Sequence, residues 1–157
     1  MQSVSAPDLQ GFRAGTYSEA QSVFAGCSSL RFAVFPSFGS RVIESYNFRN
    51  CTSLEAVDFA NMSRLGGAQV FENDTNLTVL VIRKTDSVPS LLSISQFTNT
   101  PFASGKTGGT LYVPNALISS YQSASNWSTI LGYENNSIQA IEGSYYETHY
   151  ADGTVIE

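Results

Sequence analysis

The sequence predicts an α/β solenoid of about six stacked rungs that share one parallel sheet. Three segments carry this prediction, because they align with one another without gaps. They read Val23-Phe-Ala-Gly-Cys-Ser-Ser-Leu30, Asn47-Phe-Arg-Asn-Cys-Thr-Ser-Leu54 and Val70-Phe-Glu-Asn-Asp-Thr-Asn-Leu77. Their phenylalanines, Phe24, Phe48 and Phe71, are 24 and 23 residues apart. A fixed period of this length is typical of stacked repeat architectures.

A short strand is predicted after each of the three leucines, Leu30, Leu54 and Leu77. Apolar residues stand at the third and fifth positions beyond each leucine, and this alternation is typical of a strand. The inward residues are Ala33 and Phe35, Val57 and Phe59, and Leu80 and Ile82. Because one repeat cannot bury its apolar side alone, we expect the phenylalanines to form one buried column and the leucines another.

Weaker matches extend the stack in both directions. Upstream, residues 3–7 match a strand with Val4 and Ala6 inward; downstream, residues 110–114 form another, and residues 137–141 close the stack. Strands are therefore expected near residues 4, 33, 57, 80, 112 and 139. Residues 7–22, rich in Gly, Ser and Ala, are predicted to form an insert on the convex side.

The Phe-x-x-Cys-x-x-Leu units followed by a strand resemble the BspA-like leucine-rich repeats. The end of the stack is similar as well, with Leu111-Tyr-Val-Pro114, Tyr121, Ala124, Asn126-Trp127-Ser128, Ile138 and Ile141. The likeness covers roughly residues 20–142 and implies a right-handed β-α superhelix. It also implies attachment and partner binding in bacterial or protozoan surface proteins or in phage proteins. The sequence departs from the pattern at Asp74, where Cys is usual, and in the long, irregular residues 83–109.

Two parts are predicted along the chain. Residues 1–142 form the solenoid, which includes an amphipathic helix and a capping strand at about 115–142. Residues 143–157 form a tail, in which Asp152-Gly153 predicts a β-hairpin. Since Val4 and Ala6 belong to a repeat strand with no cap before it, we expect the chain to be a fragment of a longer protein.

Composition argues against two classes of partner. The net charge is −5, and the eight Lys and Arg residues are scattered, so no basic surface for nucleic acid is expected. Membrane insertion is not expected, because no apolar run approaches the roughly 18 residues needed to span a bilayer. Charged residues make up only 13% of the chain, and neutral polar residues replace them, which favours an extracellular, cell-surface or virion location. No signal peptide is visible at the start of the chain.

No metal or cofactor is expected. Cys27 and Cys51 occupy the same position in adjacent repeats, so their Cα atoms should lie roughly 5 Å apart, which permits a disulfide in principle. The favoured interpretation is a stack of buried, reduced thiols that act as small apolar side chains. Two sulfurs without a nearby His or third Cys make a poor zinc site.

No catalytic residue is predicted either. His149, the single histidine, lies far along the chain from any candidate nucleophile and is expected at the surface. The carboxylates are dispersed, and a short solenoid has a shallow concave face where no pair should converge. Lys106-Thr-Gly-Gly109 lacks the spacing of a phosphate-binding loop. The six Asn-x-Ser/Thr sequons, at Asn50, Asn61, Asn73, Asn76, Asn126 and Asn135, are attributed to composition.

The predicted binding surface is the concave face of the sheet. Along each strand, the residues between the inward ones point outward from the sheet. Most of these outward residues are apolar, and they are Phe32, Val34, Ala56, Asp58, Val79, Val81 and Tyr112. Exposed apolar patches of this kind usually mark a contact site. Another subunit, another domain of the parent protein or the tail at residues 144–157 is the alternative occupant of this patch.

The sequence therefore predicts a non-enzymatic binding or scaffold module. It is expected to be the C-terminal part of a larger bacterial surface-exposed protein that attaches to a protein or a surface glycan. A phage or prophage tail or fibre component is the alternative, and an enzyme is the remote one. The tail offers a further contact with other domains or subunits.

Overall fold

The computed structural model describes residues 3–5, 23–36 and 41–151. Three predicted features lie outside the described residues: the insert at 7–22, the inward residue Ala6 and the Asp152-Gly153 hairpin turn. The nine described strands are β1 (Ser3–Ser5), β2 (Phe32–Phe35), β3 (Arg41–Ile43), β4 (Ala56–Phe59), β5 (Met62–Leu65), β6 (Val79–Ile82), β7 (Ser90–Leu91), β8 (Thr110–Val113) and β9 (Ser137–Ala140).

Six of these strands form one parallel sheet in the order β1-β2-β4-β6-β8-β9. Each strand pairs with its counterpart in the next repeat, so chain order equals spatial order. All six strands predicted from the repeat pattern are present, and their parallel pairing is confirmed.

A second parallel sheet, in the order β3-β5-β7, was not predicted from the sequence. Its described strands have two to four residues each, which is too short for an alternating pattern to stand out. Ile43, Leu65 and Leu91 bury their side chains in the core that the two sheets share. The solenoid therefore has a second short strand in three of its repeats.

The phenylalanine column lies in this core and is longer than predicted. Ring centroids are 5.2 Å apart from Phe24 to Phe48, 5.5 Å from Phe48 to Phe71, and 5.5 Å from Phe71 to Phe97. Phe48, Phe71 and Phe97 are buried, whereas Phe24, in the first described repeat, is only partly buried. The column of leucines at 30, 54 and 77 is fully buried, as predicted.

The irregular residues 83–109 contain a further rung, which supplies Phe97. A 3-10 turn at Ile94–Phe97 brings in Gln96, whose side-chain oxygen accepts from the Val70 amide at 3.1 Å. Phe102 packs on Phe97 with ring centroids 5.3 Å apart. Gly109 is necessary there, because a Cβ at this position would lie 2.5 Å from the Phe102 ring.

Two short helices, rather than the single helix predicted, follow β8 and close the stack. They are α1 (Ile118–Ser123) and α2 (Trp127–Leu131), preceded by a 3-10 turn at Asn115–Leu117. The break arises because Ala124 is extended and Asn126 has a φ of 64°. Tyr121 and Trp127 are buried as expected, and the Trp127 ring nitrogen donates to the Pro89 carbonyl at 2.7 Å. This bond fastens α2 to the loop before β7.

Candidate functional site

Two rows of side chains cross the outer face of the six-stranded sheet. The strand register places Phe32, Ala56, Val79 and Thr110 in one row, and Val34, Asp58, Val81 and Tyr112 in the other. All seven predicted face residues are thus side by side. Their role in binding stays a prediction.

Most of this face is shielded from solvent. Val34, Ala56, Asp58 and Val81 are buried although the apolar ones do not belong to the core cluster, while Phe32, Val79 and Tyr112 are half-buried. Burial on both faces of a sheet requires a cover on the outer side. The chain itself supplies that cover.

The cover is the described part of the tail, residues 144–151, which we call the docked segment. The Tyr146 ring lies 4.6 Å from the Tyr112 ring, and the Tyr150 ring lies 6.2 Å from the Phe32 ring. Tyr150 is buried. Of the occupants considered from the sequence, the structure places the tail on this face.

The docked segment has its own internal organisation. Tyr145–Glu147 form a 3-10 turn rather than a strand, and the Ser144 hydroxyl caps the turn by accepting from the Tyr146 amide at 3.1 Å. The His149 ring stacks on Tyr145 at 3.7 Å, and its Nδ1 lies 2.7 Å from the Tyr145 carbonyl oxygen. His149, expected at the surface, is half-buried in this arrangement.

A buried ion pair stands beneath the docked segment at the centre of the face. Arg83 follows β6 directly and donates to both carboxylate oxygens of Asp58, on neighbouring β4, at 2.7 to 3.0 Å. Burial raises the pKa of Asp58 to about 6, and the hydrogen bonds from Arg83 act in the opposite direction. Arg83 also donates to the His149 carbonyl at 3.0 Å. The pair therefore links two repeats and the docked segment.

Sequence reasoning placed Asp58 on this face but missed Arg83. Asp58 is the one carboxylate among the apolar residues of this face, and that was the available signal. Because a buried charge is stable only with a partner, a cation had to be sought near it. An arginine one position beyond the next strand, 25 residues along the chain, is the side chain that can reach it.

A second ion pair lies at the margin of the face. Arg31 and Glu55 approach to 2.7 Å, and both side chains are about 40% exposed. The Arg31 guanidinium also lies 4.9 Å from the centre of the Phe32 ring. Each of the two ion pairs on the outer face, Asp58 with Arg83 and Arg31 with Glu55, therefore carries no net charge.

The turns that precede β4, β6 and β8 carry a ladder of asparagines. Asn73 donates to Asn50 at 2.9 Å, Asn99 donates to Asn73 at 3.0 Å, and Lys106 donates to Asn99 at 3.1 Å. Each asparagine has a left-handed backbone, with φ of 63°, 65° and 55°. Asn tolerates this conformation better than most residues. The sequons at Asn50 and Asn73 therefore have a structural explanation that sequence composition did not provide.

The Lys106-Thr-Gly-Gly109 segment is a loop, as predicted, and the terminal region fixes its position. Asn135 donates to the Lys106 carbonyl at 2.8 Å, and the Gly109 amide donates to Asn136 at 2.8 Å. Gly108 has a φ of 93° and passes so close to Asn135 that a Cβ would collide with its carbonyl. An open cleft of about 440 Å³ lies beside this loop.

The cysteine column lies inside the stack. Both cysteines are free, as predicted, but Cys27 is only partly buried, while Cys51 is fully buried and donates from Sγ to the Phe24 carbonyl at 3.0 Å. Burial raises the pKa of Cys51 to about 12. Asp74 occupies the cysteine position in the following repeat. Its Oδ1 accepts a hydrogen bond from the Cys51 amide at 2.8 Å, and its buried Oδ2 has no hydrogen-bond partner. Burial raises the pKa of Asp74 to about 9.

No group of three or more His, Cys, Asp or Glu side chains in residues 3–5, 23–36 and 41–151 is arranged to hold a metal ion. No helix within the same part of the chain is long and apolar enough to cross a membrane.

The stacked parallel strands and the phenylalanine column define a repeat solenoid of the leucine-rich class. The chain belongs to the BspA type leucine rich repeat family, whose model matches residues 17–120 in six copies. Comparison with curated proteins and with solved structures gave no match. Repeat domains of this class are generally non-enzymatic modules that bind proteins, and BspA-type repeats are typically surface-associated.

Proposed function

We propose that this chain is a non-enzymatic attachment module of a larger bacterial surface-exposed protein. It binds a protein or surface glycan through the outer face of the six-stranded sheet. The residues that make the contact are those of the two rows on this outer face. Phe32, on β2, and Tyr112, on β8, lie near its two ends.

One observation carries the proposal: the outer face already holds a peptide segment. Tyr146 and Tyr150 pack their rings on Tyr112 and Phe32, and Tyr150 is buried. A surface that can bury aromatic side chains and bond a backbone carbonyl has the chemistry of a protein-binding site, since aromatic and Arg side chains dominate the energy of such interfaces.

Attachment can be measured with coated beads on epithelial monolayers. We expect beads that carry the wild-type chain to adhere, and beads that carry the Phe32→Ser/Val34→Ser variant to adhere less. Leu92→Ser is the matched control, because Leu92 is 51% exposed next to β7 in the other sheet. Equal adherence of the face variant and the control would contradict the assignment of the face. Protease or glycosidase treatment of the monolayer distinguishes a protein ligand from a glycan.

Location is tested by antibody labelling of intact cells of the encoding organism. Labelling of intact cells supports the proposal. Labelling confined to released phage particles would replace it with the phage structural alternative, and labelling only after permeabilisation would contradict both.

A further inference from the structure

The contacts of the docked segment describe the ligand that the outer face accepts. Two tyrosine rings four residues apart pack near the two ends of the outer face: Tyr146 lies on Tyr112 of β8, and Tyr150 lies on Phe32 of β2. Between them, Arg83 donates to a main-chain carbonyl, which every peptide offers. Specificity therefore resides in the two aromatic rings and their spacing.

The docked segment is held to the sheet mainly through side chains. Among the described residues, the hydrogen bond from Arg83, directly after β6, to the His149 carbonyl joins the backbone of the segment to the sheet region. Several other bonds close within the tail itself, such as those from the Tyr146 amide to Ser144 and from the Gly143 amide to Glu147. None of the described strand pairings includes residues 144–151, so exchange of this segment for another would break none of them.

We propose that the outer face is a receptor for a peptide segment of another protein that carries two aromatic residues four positions apart, and that the docked segment is a built-in competitor for it. This proposal rests on the proposed function of the face. Binding of the partner requires the docked segment to leave, so the free chain is held in a self-blocked state.

Charge favours a foreign peptide over the tail of a second copy. The ion pairs at the face, Asp58 with Arg83 and Arg31 with Glu55, leave it neutral and suited to an uncharged aromatic segment. Two copies of a chain with a net charge of −5 repel each other on approach.

The tether makes the competition strong. The docked segment begins at Ser144, four residues after β9 ends at Ala140, so it remains next to the face even when released. A short tether gives an effective concentration in the millimolar range. The apparent affinity for an added peptide falls in proportion to the fraction of molecules with an open face. We therefore expect release of the docked segment to raise that affinity about tenfold or more.

The test uses the full chain and a fluorescent synthetic peptide of residues 143–151, with anisotropy as the measurement. Three proteins are compared: wild type, Tyr146→Ala/Tyr150→Ala, and the control Leu92→Ser. Leu92 is 51% exposed and follows β7 in the other sheet. The double variant should bind the peptide at least about tenfold more tightly than wild type, and the control should resemble wild type. A peptide with both tyrosines changed to alanine should not bind.

Other outcomes would overturn the proposal. A folded double variant that binds the peptide no better than wild type would show that the docked segment does not compete. Saturable binding of the alanine peptide would remove the aromatic specificity. A wild-type dimer in light scattering that the double variant lacks would identify a second copy as the occupant. Tyr146→Ala alone, which keeps Tyr150 on Phe32, provides an intermediate variant if the double variant unfolds. Failure of these peptide assays leaves the bead assay, and with it the proposed function, independently testable.

Discussion

The two faces of the six-stranded sheet are both buried, yet by different means. The inner face packs against side chains of the same repeats: the Phe35 and Phe59 rings stack on each other with centroids 5.5 Å apart, and both lie beside Phe48 of the phenylalanine column. The outer face packs against the docked segment, which comes from the end of the described chain. The inner face is therefore built from contacts that repeat between neighbouring rungs, whereas the outer face is covered by non-local contacts from a single segment.

Two buried aspartates express the same difference. Asp58, on the outer face, has a bidentate partner in Arg83. Asp74, inside the stack, receives a hydrogen bond from the Cys51 amide and has one oxygen without a partner. Because an isolated buried carboxylate is costly, the interior aspartate is held in its protonated form, while the outer one is held as half of an ion pair.

The largest effect is expected in the inner column. Phe48→Ala removes a fully buried ring between two stacked neighbours and should lower the free energy of unfolding by about 3–5 kcal/mol. Phe24→Ala, at the partly exposed end of the same column, should cost clearly less. Urea unfolding of both variants gives the comparison, and equal losses would contradict the burial gradient along the column.

The ion pair on the outer face should give the next largest effect. Arg83→Met leaves Asp58 buried without its partner and should cost about 3 kcal/mol, in the range found for broken buried pairs. Asp58→Leu/Arg83→Met should recover most of this loss. Arg31→Met, which breaks the exposed pair with Glu55, should cost about 1 kcal/mol or less. A double variant no more stable than Arg83→Met would mean that the unpaired charge is not the cause.

Asp74 predicts a dependence of stability on pH. Its pKa in the folded protein, about 9, lies above the unfolded value of 3.8, so the folded state retains a proton that the unfolded state loses between these values. Stability should therefore fall as the pH rises from about 4 to about 9, and this contribution should be level outside that window. Asp74→Asn, which keeps an acceptor for the Cys51 amide, should be more stable than wild type by roughly 2–4 kcal/mol at pH 7.

Urea unfolding at pH 4, 7 and 9 checks this prediction. Asp74→Asn should remove the fall between about pH 6 and 9 and leave a smaller fall below pH 6 from the raised pKa of Asp58, whereas Glu134→Gln, at an exposed carboxyl, should leave the wild-type slope unchanged. A wild-type stability that rises across the same range would show that Asp74 is ionised in the folded protein.

The smallest effect is expected in the asparagine ladder. Asn73→Ala places alanine at a φ of 65°, where its Cβ is strained and its side chain cannot form the local hydrogen bonds of asparagine. It should lower the free energy of unfolding by about 1 kcal/mol. Asn73→Gly loses the same two ladder bonds but adopts this φ without steric strain, so it should cost less. Thermal unfolding of the pair separates the two contributions, and an equal loss would assign the effect to the hydrogen bonds.

The inner face could be predicted from the sequence because its contacts repeat. Phe24, Phe48 and Phe71 recur at a constant spacing, and each has a leucine at the same distance. Phe97 escaped detection because its repeat is longer: β8 begins at Thr110, ten residues after Thr100, whereas β6 begins at Val79, five residues after Asp74. One insertion within a repeat was enough to hide the rung.

The seven residues of the outer face could be predicted from the sequence, but the segment that covers them could not. The alternation of side chains along a strand is a local property, and it identified Val34, Asp58 and Val81 as neighbours on one face. The position of Tyr146 and Tyr150 depends on how the tail folds back across β9 and β8, and no periodicity of the repeats extends into the tail. The sequence therefore named the tail only as one of several occupants.

The position of the docked segment is tested most directly by nuclear Overhauser effects in the full chain. We predict cross-peaks between the ring protons of Tyr146 and Tyr112 and between those of Tyr150 and Phe32, whose centroids lie 4.6 and 6.2 Å apart. Tyr146→Ala should abolish the first set and leave the cross-peaks within the phenylalanine column unchanged. Random-coil chemical shifts for residues 144–151, with no cross-peaks to Tyr112 or Phe32, would contradict a self-covered face.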